Sequence, residues 1–147
     1  MTCCTNKAFL SKFRIDLSTN NDINYLKWDR VEFYNSQTGL VLDSNNNGNV
    51  YTHKPNGGTY QQWEWEFKAN GWNYIKNKQT GLYLTGNGMG RVYTTNFAGS
   101  NEQLWMVWNN RLLNNINNFP LDSNYQGDVY LLADNGGSYQ AWYLRHL

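Results

Sequence analysis

The sequence has few of the residues that cross-link a chain or restrict its backbone. It holds two cysteines and two prolines in 147 residues, and the cysteines, Cys3 and Cys4, are neighbours. Neighbouring cysteines do not link distant parts of a fold, and the sequence contains no other cysteine to pair with them. Disulfides are therefore excluded as the source of stability, and a chain of this length can bury a core without them.

Charge and long apolar runs are also scarce. Charged residues make up 16% of the sequence and the formal net charge is +1. The sequence therefore lacks the excess of basic residues typical of nucleic-acid and membrane-surface binders. No stretch approaches the roughly 20 apolar residues of a membrane span, and the N-terminal sequence lacks the apolar core of a secretory signal. We therefore expect a neutral partner, no nucleic acid, no membrane insertion, and a cytoplasmic protein or one released by a non-classical route.

Aromatic residues and turn formers are abundant instead. The sequence has seven Trp and eleven Tyr, a composition that favours strands and turns over helices. Short apolar runs that nearly alternate, such as LVLDS, NVYT and QWEWEF, are separated by Asn and Gly clusters, which predicts an all-β fold. Asn-Gly pairs supply residues that accept the positive φ of tight hairpin turns; they begin at Asn47, Asn56, Asn70, Asn87 and Asn135.

One sequence unit occurs three times, over residues 31–70, 71–109 and 110–147. In each unit a valine stands eleven residues before the glutamine of a Q-x-W motif and two residues after a glycine. About four strand-like runs per unit predict about twelve strands with threefold symmetry, as in a barrel closed by three hairpins. We expect the tryptophans of the three motifs to fill its core; they are Trp63, Trp105 and Trp142.

The first thirty residues lie outside the three units and contain several apolar side chains. These are Phe9, Leu10, Phe13, Ile15, Leu17 and Trp28. Terminal segments with this many apolar residues usually dock on their own domain. We therefore interpret residues 1–30 as an N-terminal extension that caps the barrel. The alternative is a segment that drives homo-oligomerisation or assembly into a larger complex.

The repeat frame resembles that of the ricin B-type lectin family, also called R-type lectins or family 13 carbohydrate-binding modules. The resemblance covers Val31 to Leu147 and rests on three Q-x-W motifs in frame with L-D-S, V-Y and N-G-G. It implies a β-trefoil fold and up to one shallow sugar pocket per repeat, with galactose and N-acetylgalactosamine the commonest ligands. Members often carry a cysteine pair in each repeat; Pro55, Phe97 and Asp134 stand at one of the corresponding positions here.

The resemblance implies a sugar pocket in the first repeat. In such pockets a carboxylate accepts hydrogen bonds from sugar hydroxyls, and an aromatic ring supports the apolar face of the sugar. The implied residues are Asp43 as acceptor, His53 or Tyr51 as ring, and Asn56, Tyr60 and Gln61 as polar wall. Tyr60 stands where many members have a ligand-binding Asn, and we expect Gln61 to orient Asp43 rather than to touch sugar.

The third repeat has a similar set and the second does not. In the third repeat Leu132 occupies the ring position, so Tyr130 is the candidate ring; the other implied residues are Asp122, Asn135, Tyr139 and Gln140. The second repeat has Thr85 in place of the Asp, Thr95 in place of the ring and Glu102 in the wall. We predict that it is a structural repeat without a sugar pocket, because the charge-assisted acceptor is missing.

Other functions find less support in the sequence. The run DSNNNG at Asp43 imitates an EF-hand loop, but Lys54 stands where a bidentate Glu is needed, so we interpret it as an Asn-Gly turn. The only imidazoles are His53 and His146, and Asp43 and Asp122 belong to different repeats, so no catalytic constellation or cofactor is predicted. The alternative to a lectin is a protein-interaction trefoil, such as a toxin subunit.

Overall fold

The structure, a computed structural model, describes residues 27–147, which form twelve strands in three similar sets of four. In chain order the strands are β1 Lys27–Asn35, β2 Val41–Ser44, β3 Val50–His53, β4 Trp63–Ala69, β5 Trp72–Asn77, β6 Tyr83–Gly86, β7 Val92–Thr95, β8 Trp105–Trp108, β9 Arg111–Asn114, β10 Leu121–Ser123, β11 Val129–Leu131 and β12 Trp142–His146. A 3-10 turn precedes the last strand of each set, over Thr59–Gln61, Asn101–Gln103 and Ser138–Gln140. The all-β fold and the threefold repeat predicted from the sequence are confirmed.

Six strands form an antiparallel barrel: β1, β4, β5, β8, β9 and β12. Strand β1 pairs with both β4 and β12, β5 pairs with both β4 and β8, and β8 pairs with β9. The circle closes between the third repeat's outer strands, where the Trp142 N–H donates to the Asn110 carbonyl at 2.9 Å. Closure removes the open sheet edges at which chains would otherwise associate.

The Q-x-W tryptophans fill the barrel, as predicted. Each begins the last strand of its repeat and is fully buried. Each indole Nε1–H donates to a carbonyl 21 residues earlier, at 2.9–3.1 Å, which supplies the partner that a buried indole needs. The three pairs are Trp63 with Leu42, Trp105 with Leu84, and Trp142 with Leu121. The tryptophan therefore both fills the core and fixes the second strand of its repeat.

The remaining strands form three hairpins, β2–β3, β6–β7 and β10–β11, that meet around the pseudo-threefold axis. A glycine carbonyl in each hairpin accepts a backbone hydrogen bond from a neighbouring hairpin at 2.9 Å. At Gly127, φ is +90° and an added Cβ would lie 2.8 Å from the Thr52 carbonyl oxygen, so only glycine fits. Gly48 and Gly90 have the same role against Thr94 and Leu131.

The connection between the first and second repeats is longer than its counterpart. Strands β4 and β5 have seven and six residues, whereas β8 and β9 have four each. The start of β1 pairs with the longer strand β4. There Trp28 stacks on Trp65, with ring centroids 5.9 Å apart, and meets Phe67 edge-on at 5.2 Å. Trp28 of the predicted extension is thus buried in this domain; the other apolar residues named there, Phe9, Leu10, Phe13, Ile15 and Leu17, lie outside the described residues.

Candidate functional site

Two carboxylates occupy equivalent places in the second strands of the first and third repeats. Asp43 in β2 is 5% exposed and Asp122 in β10 is 3% exposed. In each, Oδ1 accepts the following backbone N–H at 2.8 Å and Oδ2 accepts the Nε2–H of the Q-x-W glutamine at 3.0 Å. An ionised carboxylate has about four lone-pair sites, so these contacts use about half of its acceptor capacity. Each carboxylate therefore keeps unused acceptor capacity, and Asp43 lines an open pocket.

The glutamines Gln61 and Gln140 hold both the carboxylate and the loop beside it. Besides its bond to Asp43, Gln61 donates from Nε2 to the Lys54 carbonyl and accepts the Asn56 N–H at Oε1, each at 2.9 Å. Gln140 makes the same set with Asp122, Ala133 and Asn135. Neither glutamine has exposed surface, so each holds its carboxylate in place from within the protein.

The loop asparagines have a different place from the one the sequence suggested. The pairs Asn56–Gly57 and Asn135–Gly136 lie after the third strand of their repeats, not in hairpin turns. There the Asn backbone N–H donates to the Oε1 atom of the Q-x-W glutamine of the same repeat. The Asn56 Oδ1 accepts the Gly58 N–H at 2.8 Å. This bond leaves the Asn56 Nδ2 group to donate to a ligand. An added Cβ at Gly58 would lie 3.0 Å from the same Oδ1.

A tyrosine faces each carboxylate directly across its hairpin: Tyr51 faces Asp43, and Tyr130 faces Asp122. Their hydroxyls donate to the Ser44 and Ser123 carbonyls at 3.1 and 3.4 Å, which fixes both rings. Burial, and then the charge of the facing carboxylate, raises the pKa of both tyrosines. Both hydroxyls therefore stay protonated and able to donate at neutral pH.

The predicted residues of the first repeat surround one open pocket of about 320 Å³. It is lined by Asp43, Tyr51, His53, Asn56 and Tyr60, with Gln61 hydrogen-bonded to the carboxylate. Its lining also includes three residues that the sequence did not single out, Ser44, Asn45 and Gly58. Ser44 and Asn45 directly follow Asp43 and Gly58 is two residues after Asn56, so their positions in the sequence could have identified them.

The third repeat keeps the same frame with one addition. Leu132, at the position of His53, is 48% exposed, and Tyr125 meets Tyr139 edge-on with ring centroids 5.9 Å apart. Tyr125 stands at the position of Asn46, which donates to the Tyr60 hydroxyl at 3.0 Å in the first repeat. Tyr125 was not predicted from the sequence, although its equivalence to Asn46 could have identified it.

The second repeat keeps the scaffold around different chemistry. Gln103 donates to the Thr85 hydroxyl at 3.2 Å and accepts the Ala98 N–H at 2.8 Å. These contacts match those of Gln61, but the carboxylate and the loop asparagine are replaced by a hydroxyl and a methyl group. Thr95 and Glu102 occupy the ring and wall positions.

The 3-10 turn beside each carboxylate is held by the repeat that neighbours it. An asparagine at the end of the first strand donates to the wall's backbone: Asn77 to Tyr60 at 2.9 Å, and Asn35 to Tyr139 at 2.8 Å. Two glutamines add hydrogen bonds to the same 3-10 turns, and these pairs are Gln79 with Thr59 and Gln37 with Ser138. The walls therefore depend on contacts between repeats that no motif within one repeat reveals.

No helix within residues 27–147 has the length and apolar character needed to cross a bilayer. No group of three or more His, Cys, Asp or Glu side chains in the same range is arranged to hold a metal ion.

The closed barrel, the three hairpins and the pseudo-threefold axis together define a β-trefoil. No family model matches the chain. Among solved structures it is similar to a designed threefold symmetric protein, ThreeFoil, with a TM-score of 0.74 and 22% identity. That likeness covers 80% of this chain and 99% of the designed one. It establishes the fold, whereas the resemblance to ricin B-type lectins rests on the sequence motifs.

Proposed function

We propose that the protein is a carbohydrate-binding lectin with one sugar pocket in the first repeat and one in the third. The observation that carries the proposal is the Asp43 carboxylate, held by Gln61 at an open pocket that Tyr51, His53 and Asn56 also line. Sugars match this arrangement because neighbouring hydroxyls donate to a carboxylate while the C–H face packs against a ring.

Each pocket residue has a distinct proposed role. Asp43 accepts two sugar hydroxyls, and the Nδ2 group of Asn56 donates to a third oxygen. His53 or Tyr51 supports the apolar face of the ring, and Tyr60 forms the outer wall. In the third repeat the corresponding residues are Asp122, Asn135, Tyr130, Tyr139 and Gln140. The resemblance to R-type lectins favours galactose or N-acetylgalactosamine as the ligand.

We propose no catalytic role for these pockets. Among the described residues that line the first pocket, Asp43 is the only acid. Hydrolysis of a glycosidic bond usually needs two carboxylates on either side of that bond. The first and third pockets instead have one floor carboxylate each, in separate repeats. Open pockets of this kind bind a single sugar weakly, near millimolar, so two pockets on one chain support multivalent binding.

Titration of galactose into single-site variants tests the proposal. We expect Asp43→Ala and Asp122→Ala each to weaken binding about tenfold or more at their own pocket, because hydrogen bonds to charged groups contribute about 1.5–3 kcal/mol. Backbone amide shifts of Tyr51 and Tyr130 in NMR spectra report the two pockets separately. Thr85→Ala, at the equivalent position of the second repeat, is the matched control and keeps both responses.

Two results would contradict the proposal. If the double variant Asp43→Ala with Asp122→Ala retains the wild-type response at Tyr51 and Tyr130, the carboxylates are not the acceptors. If the intact protein binds nothing on a glycan array, the lectin function is wrong and a protein-interaction trefoil takes its place.

A further inference from the structure

A second kind of pocket lies on the outer face of the barrel, between the second and third repeats. Its volume is about 550 Å³, against about 320 Å³ for the Asp43 pocket. It is lined by Asn70, Trp72, Met106, Trp108, Leu113 and Asn118. None of these residues belongs to the pocket of the first repeat, and the sequence pattern marked only Asn70, as part of a turn.

The floor of this pocket is a row of apolar side chains on three adjacent strands. Met106 of β8 pairs with Trp72 of β5 on one side and with Leu113 of β9 on the other. The neighbours of Met106 in β8, Trp105 and Val107, belong to the barrel core. Because side chains alternate along a strand, Met106 and Trp108 face outward.

The two equivalent faces of the barrel show that the fold does not require this apolar row. Between the first and second repeats, Glu64 and Lys76 replace Met106 and Leu113, and Glu64 forms an ion pair with Lys27 at 3.0 Å. Between the third and first repeats, Tyr143 and Tyr34 occupy the positions of Met106 and Leu113. Their rings stack on each other, with centroids 5.2 Å apart and an angle of 9° between the planes. One face carries charges, one carries a stacked tyrosine pair, and the third is apolar; its central Met106 is 4% exposed, whereas Trp108 is 37% exposed.

Amide groups stand at the rim of the apolar floor. Asn118 has a φ of +61°, a conformation that favours glycine, and the first and second repeats have Gly39 and Gly81 at this position. Asn70 also has a positive φ, of +54°. All six residues that line the pocket are uncharged. The pocket therefore suits a neutral ligand that has an apolar face and hydrogen-bonding groups at its edge.

We propose that this face is an additional sugar site, in which a neutral pyranose stacks on Trp72 or Trp108 and hydrogen-bonds to the Asn118 amide. The volume lies within the range of about 300–1,000 Å³ of small-ligand pockets, which are mostly apolar with a few polar groups. Indole rings offer the stacking surface, and Trp108 is 37% exposed. The ligand class rests on the proposed lectin function, but the site uses none of the residues of the Asp pockets.

NMR titration with lactose tests this site separately from the Asp pockets. We expect the indole Nε1–H signals of Trp72 and Trp108 to shift with lactose, and to keep shifting in the double variant Asp43→Ala with Asp122→Ala. Trp108→Ala removes the response at Trp72 and leaves the Tyr51 amide response intact. Lys76→Ala, on the equivalent charged face, is the matched control and changes neither response.

Each other outcome has a distinct meaning. If lactose shifts the Tyr51 and Tyr130 amides but neither indole signal, the outer site is wrong and the lectin proposal stands. If no signal shifts, both proposals are wrong. If the indole signals depend on protein concentration without lactose, and sedimentation shows a dimer that Trp108→Ala abolishes, the occupant is a second copy of the chain and the sugar site is overturned.

Discussion

The second repeat and its two neighbours share a scaffold and differ in the chemistry attached to it. Gln103 holds Thr85 in the same way that Gln61 holds Asp43, and Trp105 bonds to its second strand as the other core tryptophans do. The carboxylate, however, is absent from the second repeat. The Q-x-W motif thus specifies the framework in all three repeats, whereas the buried carboxylate of the second strand is present only in the first and third repeats.

The framework itself also varies, but through paired changes. Where the hairpins meet, Ser44 and Thr94 have their hydroxyl oxygens 3.3 Å apart, and Thr52 and Ser123 are 3.2 Å apart. The third such contact has Gly86 and Leu131 instead, and an added Cβ at Gly86 would lie 2.8 Å from the leucine side chain. A larger residue on one hairpin is therefore matched by a smaller one on its neighbour, since a packed interior accepts little change in volume.

The largest predicted effect concerns the glycines shared by all three hairpins. We expect Gly127→Ala to lower the free energy of unfolding by about 2 kcal/mol or more, because it adds a clash with the Thr52 carbonyl to the cost of a left-handed backbone. Gly48→Ala and Gly90→Ala should have similar effects, although their repeats differ in pocket chemistry. Urea unfolding followed by tryptophan fluorescence measures this quantity.

Gly136→Ala is the control for that experiment. Its φ is +72° and an added Cβ would meet nothing within 4 Å, so it carries the backbone cost without the clash. If Gly127→Ala is no more destabilising than Gly136→Ala, the close approach of the hairpins is not what requires glycine there.

The next effect is the gain of a sugar pocket in the second repeat. We expect Thr85→Asp combined with Ala98→Asn, Ser100→Gly and Glu102→Tyr to create a galactose response at the Tyr93 amide, with a dissociation constant in the millimolar range. Gln103 already stands where it can hold the new carboxylate. The same combination with Thr85→Val is the control and should not respond. A folded Asp variant without this response would show that the difference between repeats lies elsewhere.

The smallest predicted effect comes from exchanging the ring position between the two pockets. Leu132→His should strengthen galactose binding in the third repeat and His53→Leu should weaken it in the first, each by about two- to tenfold, since ring contacts contribute about 0.5–1.5 kcal/mol. Site-resolved dissociation constants from the Tyr130 and Tyr51 amides measure both changes. If neither substitution changes the dissociation constant of its own pocket, the supporting ring is Tyr51 in the first repeat and Tyr130 in the third.

The sequence predicted the framework because each of its parts repeats at a fixed spacing. Trp63 and its equivalents, and Gly48 and its equivalents, stand at constant offsets, and their environments in the structure are equivalent. Asp43 and Gln61 were identified by the same frame. The spacing did not reveal what each glycine touches, since the partner carbonyl belongs to another repeat.

The rest of the site depends on contacts between repeats. Gln79 reaches Thr59, and Tyr125 reaches Gln37, and neither pair follows from periodicity within one unit. The outer pocket around Trp108 was also missed. Its residues come from three strands and two turns, and its apolar character is visible only when the three barrel faces are compared in register.

The closed pairing of β1 with β12 makes the order of the repeats along the chain incidental to their arrangement in space. The Leu147 N–H donates to the Arg30 carbonyl at 2.9 Å, so the last described residue lies beside the first strand. A permutant of residues 27–147 that joins Leu147 to Lys27 and opens the chain between Asn109 and Asn110 would keep every hairpin and every glycine contact. Within these residues the three units form a ring, so each unit has the same two neighbours whichever unit comes first along the chain.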